Sequence, residues 1–525
     1  MKVQLLNRPG FTQEGDIAPF KNDLCQDLVL EPILQAMAKG DNYVYQQCKQ
    51  ILLSPLTDRE NLLHRQSALR DAIRNTKTIL SLYATVAEVV TDISNFRTSQ
   101  RKNGNPLPSV RLMTAIEQLD VLAKGLERLK GEIVNTYGHF TGTIFRDFYD
   151  EFLMEFNAEF VQLVHEKAAL LKAIDEGGEI QISGTIGNGL KTDGLVVNAL
   201  SEYRTKRKFD IMESLFSTKI KKNEIRISYE DLQLYRDCID LQNAGLLHVA
   251  STFDGFSMGL MKLFNTLRQQ LAFFHGCCNL YNHMKNMCFP VCFPEVTAEK
   301  HAITGHGIYD LGVAIRDLKM PMANDIEGDD TLTYLITGTN HGGKTTFIRS
   351  AAIAQLMAQS GMFVPAHDMI TRIFPGIYTH FVRNEDVTMN AGKLEEELQR
   401  LSKIVDHMQA ESVIFLNESF ATTSERDGAA IAEDILKAFS DNEVTTFFVT
   451  HIYAFAKKAY DEERPRTQFL QAERTSEGER TYIMRHGEPG TTGYGRELYN
   501  DILGGTYSGN KNTGGDTPGN ADGGT

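Results

Sequence analysis

The chain has 525 residues, enough for three or four domains at the usual ~150 residues each. Hydrophobic residues make up 42% and charged residues 23%, which excludes a disordered, collagen-like or disulfide-scaffold protein. With 54 basic against 68 acidic residues the net charge is −14, so the chain as a whole offers nucleic acid no generic attraction, and any such contact needs a local basic surface.

Met1 to Pro9 lacks a signal-peptide apolar core, and no run of eighteen apolar residues follows, which predicts a cytoplasmic chain with no membrane span. After a leader at 1–25, residues 26–135 read as a helical core. Glu31 to Met37 opens a helix with Pro32 in its first turn, and 41–53 reads as the next. Pro55 to Asp58 forms a turn and N-cap before a helix over Arg59–Arg74. Lys102 to Pro108 breaks the pattern. Beyond it Leu112, Ile116, Leu119, Leu122, Leu126, Leu129 and Ile133 form one apolar stripe, the core-facing side of a long helix.

Residues 136–290 read as further long helices, over about 144–175 and 228–287, with a strand-rich insertion near 176–225. Gly177–Gly184 and Gly194–Val197 have the strand-and-turn texture. Arg204–Lys222 sets seven basic residues against Asp210 and Glu213, either a solvated helix face or a phosphate-contacting patch. Cys277, Cys278, Cys288 and Cys292, with His275 and His283, fit no familiar zinc spacing, and the cysteines read as small buried hydrophobes.

From about 303 the texture is α/β. Leu332–Thr337, Gly376–Val382, Val413–Leu416 and Thr445–Val449 are short β-branched or aromatic runs separated by helical patterns, which predicts a mostly parallel sheet. Gly504–Thr525 holds eight glycines in 22 residues with no apolar cluster, the composition of a disordered tail.

Gly338-Thr339-Asn340-His341-Gly342-Gly343-Lys344-Thr345 matches the G-x-x-x-x-G-K-[ST] loop, with a strand before it and a helix from Thr346 after it. Glycines let backbone N–H groups wrap phosphate oxygens, and the helix N-terminus adds a positive dipole end. The pattern predicts ATP bound by Gly338, Asn340, Gly342, Gly343, Lys344, Thr345 and Thr346. Lys344 would face the β- and γ-phosphates and Thr345 would ligate Mg²⁺. Val413 to Leu416 is a buried strand delivering Asn417 and Glu418 at its C-terminal end, where ligands sit in open α/β sheets. Glu418 is the candidate base for an attacking water. Asn417, the second metal-side oxygen, stands where an Asp is usual, so the site lacks a charge there. His451, at the end of a third strand, is placed to bond the γ-phosphate or the water. Lys344 and Glu418 are 74 residues apart, which excludes a coiled-coil insertion between the two halves and is short for a transporter ATPase.

These residues resemble the MutS family of DNA mismatch-repair ATPases. Ile336 to Arg349 and then Gly361 to Ala366 are similar to its G-x-N-x-G-G-K-[ST] loop and later V-P-A. Asn417-Glu418, Thr423-Ser424 and Asp427-Gly428 resemble its D-E-x-x-x-x-T-S-x-x-D-G run, and Thr450-His451 its A-T-H. Gly490 with Tyr494-Gly495 resembles the late S-Y-G motif, with Gly493 in place of the Ser. Leu63 to Gln66, with Leu69 and Asn75, resembles the R-Q-x-x-I-x-x-L motif of the family's core domain. Gly392 to Leu398 aligns with S-x-F-x-x-E-M, which reaches a partner subunit's nucleotide; the Ser is here Gly392 and the Phe Leu394. The resemblance implies a MutS-type P-loop ATPase domain over 291–503, preceded by a helical core and lever region, with Met322 and Asn324 near adenine.

It also implies a homodimer, formed through Gly392–Leu398 and Thr422–Asp427, that couples ATP to clamping on DNA in mismatch repair or a related process. The leader is too short for the family's mismatch-reading domain, so sequence-independent binding is expected. Two other readings stand beside this one: a binder of branched DNA without mismatch recognition, and an ATP-switched scaffold that binds protein and not DNA.

Overall fold

The computed structural model describes residues 2–11, 20–100, 107–157, 159–160, 162, 179–186, 192–201, 232–298, 303–328, 330–383, 392–421, 423–475 and 479–490. The basic segment Arg204–Lys222, the motif residues Gly493 to Gly495 and the Gly-rich tail lie outside the described residues.

In chain order the first helices are α1 (Lys21–Asp27), α2 (Glu31–Ala38), α3 (Asn42–Leu52), α4 (Arg59–Arg74), α5 (Thr76–Gln100), α6 (Pro108–Thr136) and α7 (Thr143–Glu155). Strands β1 (Glu179–Ile186) and β2 (Thr192–Ser201) follow, then α8 (Leu232–Asn286). The remainder runs β3 (Glu295–Thr297), β4 (Ile303–Ile308), α9 (Leu311–Asp317), β5 (Asn324–Ile326), β6 (Thr333–Thr337), α10 (Lys344–Gln359), β7 (Asp368–Arg372) and β8 (Ile377–Phe381). It ends with α11 (Lys393–His407), β9 (Val413–Asn417), α12 (Glu425–Asp441), β10 (Thr445–Val449), α13 (Tyr453–Asp461), β11 (Thr467–Arg474) and β12 (Arg480–His486).

The chain forms two compact units. The first comprises Met1–Glu14, Leu34–Ile51 and Asp58–His283. Its helices are amphipathic and bury their apolar stripes against one another. Asp58 caps α4, its carboxylate accepting the Asn61 N–H at 2.8 Å. All seven stripe residues from Leu112 to Ile133 are buried. Gly125 lets α6 approach α5, since a Cβ there would stand 2.6 Å from a Val89 methyl. Strands β1 and β2 pair antiparallel, as their texture predicts. Cys277 and Cys278 are fully buried core residues of α8.

The leader is part of this packing. Gln270 accepts the Leu5 and Leu6 N–H groups and donates to the Val3 carbonyl, while Asn61 accepts from the Arg8 N–H. Arg65, the Arg of the R-Q motif, is buried beneath it and donates to the Leu6 carbonyl and Asn7. Burial pushes the Arg65 guanidinium down to about 10. The motif therefore has a structural use here: its Arg65 ties down the N-terminal segment.

The second unit comprises Gly15–Ile33, Leu52–Thr57 and Met284–Thr525. Its centre is a six-stranded sheet of order β12-β11-β6-β10-β9-β8. All neighbours are parallel except β12, which pairs antiparallel with β11. The four predicted runs are β6, β8, β9 and β10, every residue of which is buried. On one face Leu335, Ile414, Leu416 and Phe448 pack against α11, α12 and α13 through Leu401, Leu436 and Phe455. On the other Tyr334, Phe447 and Phe415 stack across three strands, with centroids 4.2 and 5.0 Å apart. Helix α10 packs on β9 and β10. A smaller sheet, β3-β7-β4-β5, lies in the same unit. Helix α1 docks on edge strand β8, and Phe20 packs edge-on against Tyr378 and His407.

Among the described residues, no helix is long and apolar enough to cross a membrane.

Candidate functional site

At the C-terminal edge of β6 the chain turns sharply into α10. Gly338 has φ +120° and Gly343 φ +92°, conformations that L side chains rarely adopt. Ala472 of β11 presses on the same loop, so a Cβ at Gly342 would sit 2.9 Å from the Ala472 methyl. Close packing therefore enforces these glycines as much as backbone freedom does. His341, between them, also takes a positive φ of 60°.

Lys344 opens α10 and folds back into the loop. It is 4% exposed, and Nζ donates to the Gly338 and Thr339 carbonyls at 2.9 Å each. Burial lowers its pKa from the ordinary lysine value, and the charge of Glu418 opposes that shift. Thr345 follows on the same turn, its Oγ1 donating to Asn417 Oδ1 at 3.2 Å. The pair expected on the metal side is thus brought together, with Asn417 buried at the end of β9.

After Asn417 the chain leaves the sheet through two left-handed residues, Glu418 (φ 58°) and Phe420 (φ 68°). Such a conformation is unfavourable for side chains of this size unless the surroundings hold it. The Glu418 N–H is anchored on the Val449 carbonyl at 2.8 Å. Its carboxylate meets His451 Nε2 at 2.8 Å, bringing both catalytic candidates together. Glu418 titrates below the ordinary glutamate range: the His451 hydrogen bond lowers it, burial opposes, and the charges of His451 and Lys344 add to the lowering.

The loop and Glu418 line one cavity of about 710 Å³, together with Arg480 and Tyr482. Asn340, His341, Gly342, Gly343, Lys344, Thr345 and Thr346 all face it. Arg480 and Tyr482 carry no sequence signal. They reach the cavity because β12 bulges: Ala472 pairs with Met484 and Arg474 with Arg480, leaving Thr481 to Ile483 unmatched. Tyr482, at φ 61°, rests beside Gly343. Asn324 secures the bulge, donating to the Tyr482 carbonyl and accepting the Met484 N–H. Its amide, expected near adenine, is thus committed to β12, while Met322 is half exposed.

The Thr423 to Gly428 run acts locally. Ser424 caps α12 by accepting the Asp427 N–H, and Gly428 lets the Phe420 carbonyl come close. The S-x-F-x-x-E-M alignment is reached only in part: Gly392, Glu395 and Glu396 are exposed, whereas Glu397 points inward.

Fold and site together define a chain with a helical unit and an α/β unit whose glycine-rich loop, strand-end carboxylate and histidine share one cavity. Residues 57–287 match the family model of the MutS2 N-terminal domain, and residues 334–495 that of MutS domain V. The chain belongs to the MutS family. It is 29% identical over 193 residues to the human DNA mismatch repair protein Msh3, a match covering 34% of this chain and 17% of that protein. It is 35% identical over 130 residues to the DNA mismatch repair protein MutS of Thermus aquaticus, covering 25% of this chain and 16% of that protein. Against the endonuclease MutS2 of Leuconostoc mesenteroides it is 30% identical over 177 residues, covering 33% and 21%. The matches thus span about a sixth to a fifth of these relatives' lengths.

Proposed function

We propose that the chain is a Mg²⁺-dependent P-loop ATPase of the MutS type that couples ATP to DNA binding as a homodimer. The observation that carries the reading is the single cavity in which a buried lysine and a helix N-terminus stand across from an ionised carboxylate paired with histidine. Backbone N–H groups of Gly338 to Thr346 and the α10 dipole bind the phosphates. Lys344 exchanges its loop carbonyls for phosphate oxygens. Thr345 Oγ1 and Asn417 Oδ1 are hard neutral oxygens one hydrogen bond apart, a donor set that fits Mg²⁺. Bound there, the metal would neutralise charge on the β- and γ-oxygens. Glu418 accepts the proton of the attacking water, and His451 fixes the orientation of that carboxylate. Tyr482, which lines the cavity beside Gly343, would contact the bound nucleotide.

In this reading residues 26–135 are the core, 136–290 the levers and 291–503 the ATPase domain of a cytoplasmic protein. Gly392–Leu398 and Thr422–Asp427 face the second subunit; Thr422 lies outside the described residues. Relatives named for DNA mismatch repair support DNA as the ligand. The basic segment Arg204–Lys222 is the phosphate contact that the sequence offers.

The test is the ATPase rate with and without duplex, mismatched and branched DNA, alongside a salt titration of binding. DNA should stimulate turnover, and affinity should fall steeply with salt. Replacing Lys206, Arg207 and Lys208 with Ala should flatten the salt slope and weaken all duplexes about equally. Binding absent at every salt concentration would favour the protein scaffold, which the net charge of −14 suits.

Asn417→Asp should raise Mg²⁺ affinity and turnover, because it restores a negative oxygen beside Thr345. A Mg²⁺ titration of ATPase rate checks this. Weaker Mg²⁺ dependence in the Asp variant would remove position 417 from the metal.

A further inference from the structure

Three consecutive glutamates begin α11, and they are not equivalent. Glu395 and Glu396 are exposed, whereas Glu397 is 8% exposed. A carboxylate is driven inward only where hydrogen bonds and charge compensate its desolvation. Glu397 Oε1 accepts the Phe420 N–H at 2.7 Å, and the Arg400 guanidinium lies in the same charged environment.

Phe420 is the second left-handed residue of the turn that begins at Glu418. The other contacts close round the same turn. His380 meets Ser419 Oγ through Nδ1 at 2.8 Å and the Glu397 carbonyl through Nε2 at 3.3 Å. Burial and the Arg400 charge push His380 down to about 3, so it stays a neutral spacer at physiological pH. Gly428 backs the Phe420 carbonyl, where a Cβ would stand at 2.8 Å. None of these groups faces the cavity.

We propose that Glu397 is a positioning residue: by accepting the Phe420 N–H, its buried carboxylate holds Glu418 in the backbone conformation from which it takes a proton. Two bonds fix the turn at its ends, Val449 on Glu418 and Glu397 on Phe420. The second comes from α11, where the neighbouring Glu395 and Glu396 are exposed. Whatever displaces α11 therefore displaces the base, and α11 becomes the handle through which turnover is set.

This inference rests on the ATPase reading, and the experiment separates the two. Glu397→Ala leaves the Phe420 N–H without its acceptor and frees the turn. A displacement near 1 Å at a reacting group costs about 10²-fold, so kcat should fall about 10- to 100-fold. The Kd for Mg-ATP, set by the loop and Lys344, should stay within about threefold, since ~0.7 kcal/mol is all that such a factor represents. Glu397→Gln keeps an acceptor oxygen and should recover most of kcat. If Glu397→Ala does not fold, Glu397→Asp, whose carboxylate is one methylene shorter, carries the same comparison. Glu418→Gln is run in parallel. Turnover slowed by Glu418→Gln but untouched in the Glu397 variants would overturn the positioning role alone. Kd and kcat lost together, without recovery in Glu397→Gln, would mean a merely structural carboxylate and would also overturn it. Turnover indifferent to Glu418→Gln would instead remove Glu418 as the base, and with it the positioning role, whereas no turnover in the wild-type chain would remove the ATPase reading beneath both.

Discussion

Mg-ATP turnover in Glu418→Gln should fall about 10²–10⁴-fold, the range that a general base contributes, while nucleotide binding should be kept. The two variants differ by one protonatable oxygen. Glutamine has the same length, and its carbonyl can still meet His451, so the 2.8 Å contact is retained in kind. The Glu418 N–H bond to Val449 is backbone and is untouched. What is lost is the capacity to accept a proton from water. Binding should hold or tighten slightly, because one negative charge leaves the neighbourhood of Lys344 and the phosphates. Single-turnover rates with labelled nucleotide measure both quantities. The pH profile carries a second sign. Glu418 sits below the ordinary carboxylate range, chiefly through His451, so the base stays ionised as pH falls through that range. The acid limb of turnover should therefore lie below that of an unperturbed glutamate. Unchanged turnover in Glu418→Gln would strip Glu418 of the role.

The sheet was legible in the sequence wherever strands are buried on both faces. β6, β8, β9 and β10 read as β-branched or aromatic runs because every residue of each is buried. The strands that escaped notice are short or half-exposed: β5 has three residues, and β12 alternates around a bulge. The loop was legible because glycine is demanded by backbone φ and by the pressure of Ala472, and glycine is visible in any sequence. The turn at Glu418 was not. Neither Glu418 nor Phe420 advertises a left-handed conformation; it is imposed by Val449 and Glu397, which lie 31 and 23 positions away in sequence from their partners. Arg480 and Tyr482 were hidden for the same reason, since a register shift between β11 and β12 delivers them. The leader shows the limit from the other side. Val3 to Arg8 is held by Gln270, Asn61 and Arg65, contacts that no local pattern encodes.

Lys344→Ala should weaken Mg-ATP binding by at least about 10²-fold, because losing one member of a buried, hydrogen-bonded charge pair costs about 3–5 kcal/mol and each 1.4 kcal/mol is tenfold. Among the described residues that line the cavity, Lys344 is the cation bonded within the loop, and Arg480 is exposed. Two loop carbonyls already hold Nζ at 2.9 Å, so the side chain is ordered before nucleotide arrives and little side-chain entropy remains to be lost when it exchanges them for phosphate oxygens. The same bonds raise an objection: removing the side chain also leaves Gly338 and Thr339 carbonyls unpaired, and the loop could lose its shape. Lys344→Met separates the two causes, because it keeps the buried stem and removes only the charge. Lys344→Arg adds a third arm, since a planar guanidinium cannot occupy the position of a compact ammonium between two carbonyls. All three should lose binding. With no Trp in the chain, a labelled nucleotide must report it. Thermal unfolding of the nucleotide-free variants separates lost binding from lost fold. Added Mg-ATP should then raise the wild-type midpoint and leave the variants where they are, since a ligand stabilises only the state that binds it. Affinity within threefold of wild type in Lys344→Met would show that the loop binds through its backbone alone and that the lysine belongs to the fold.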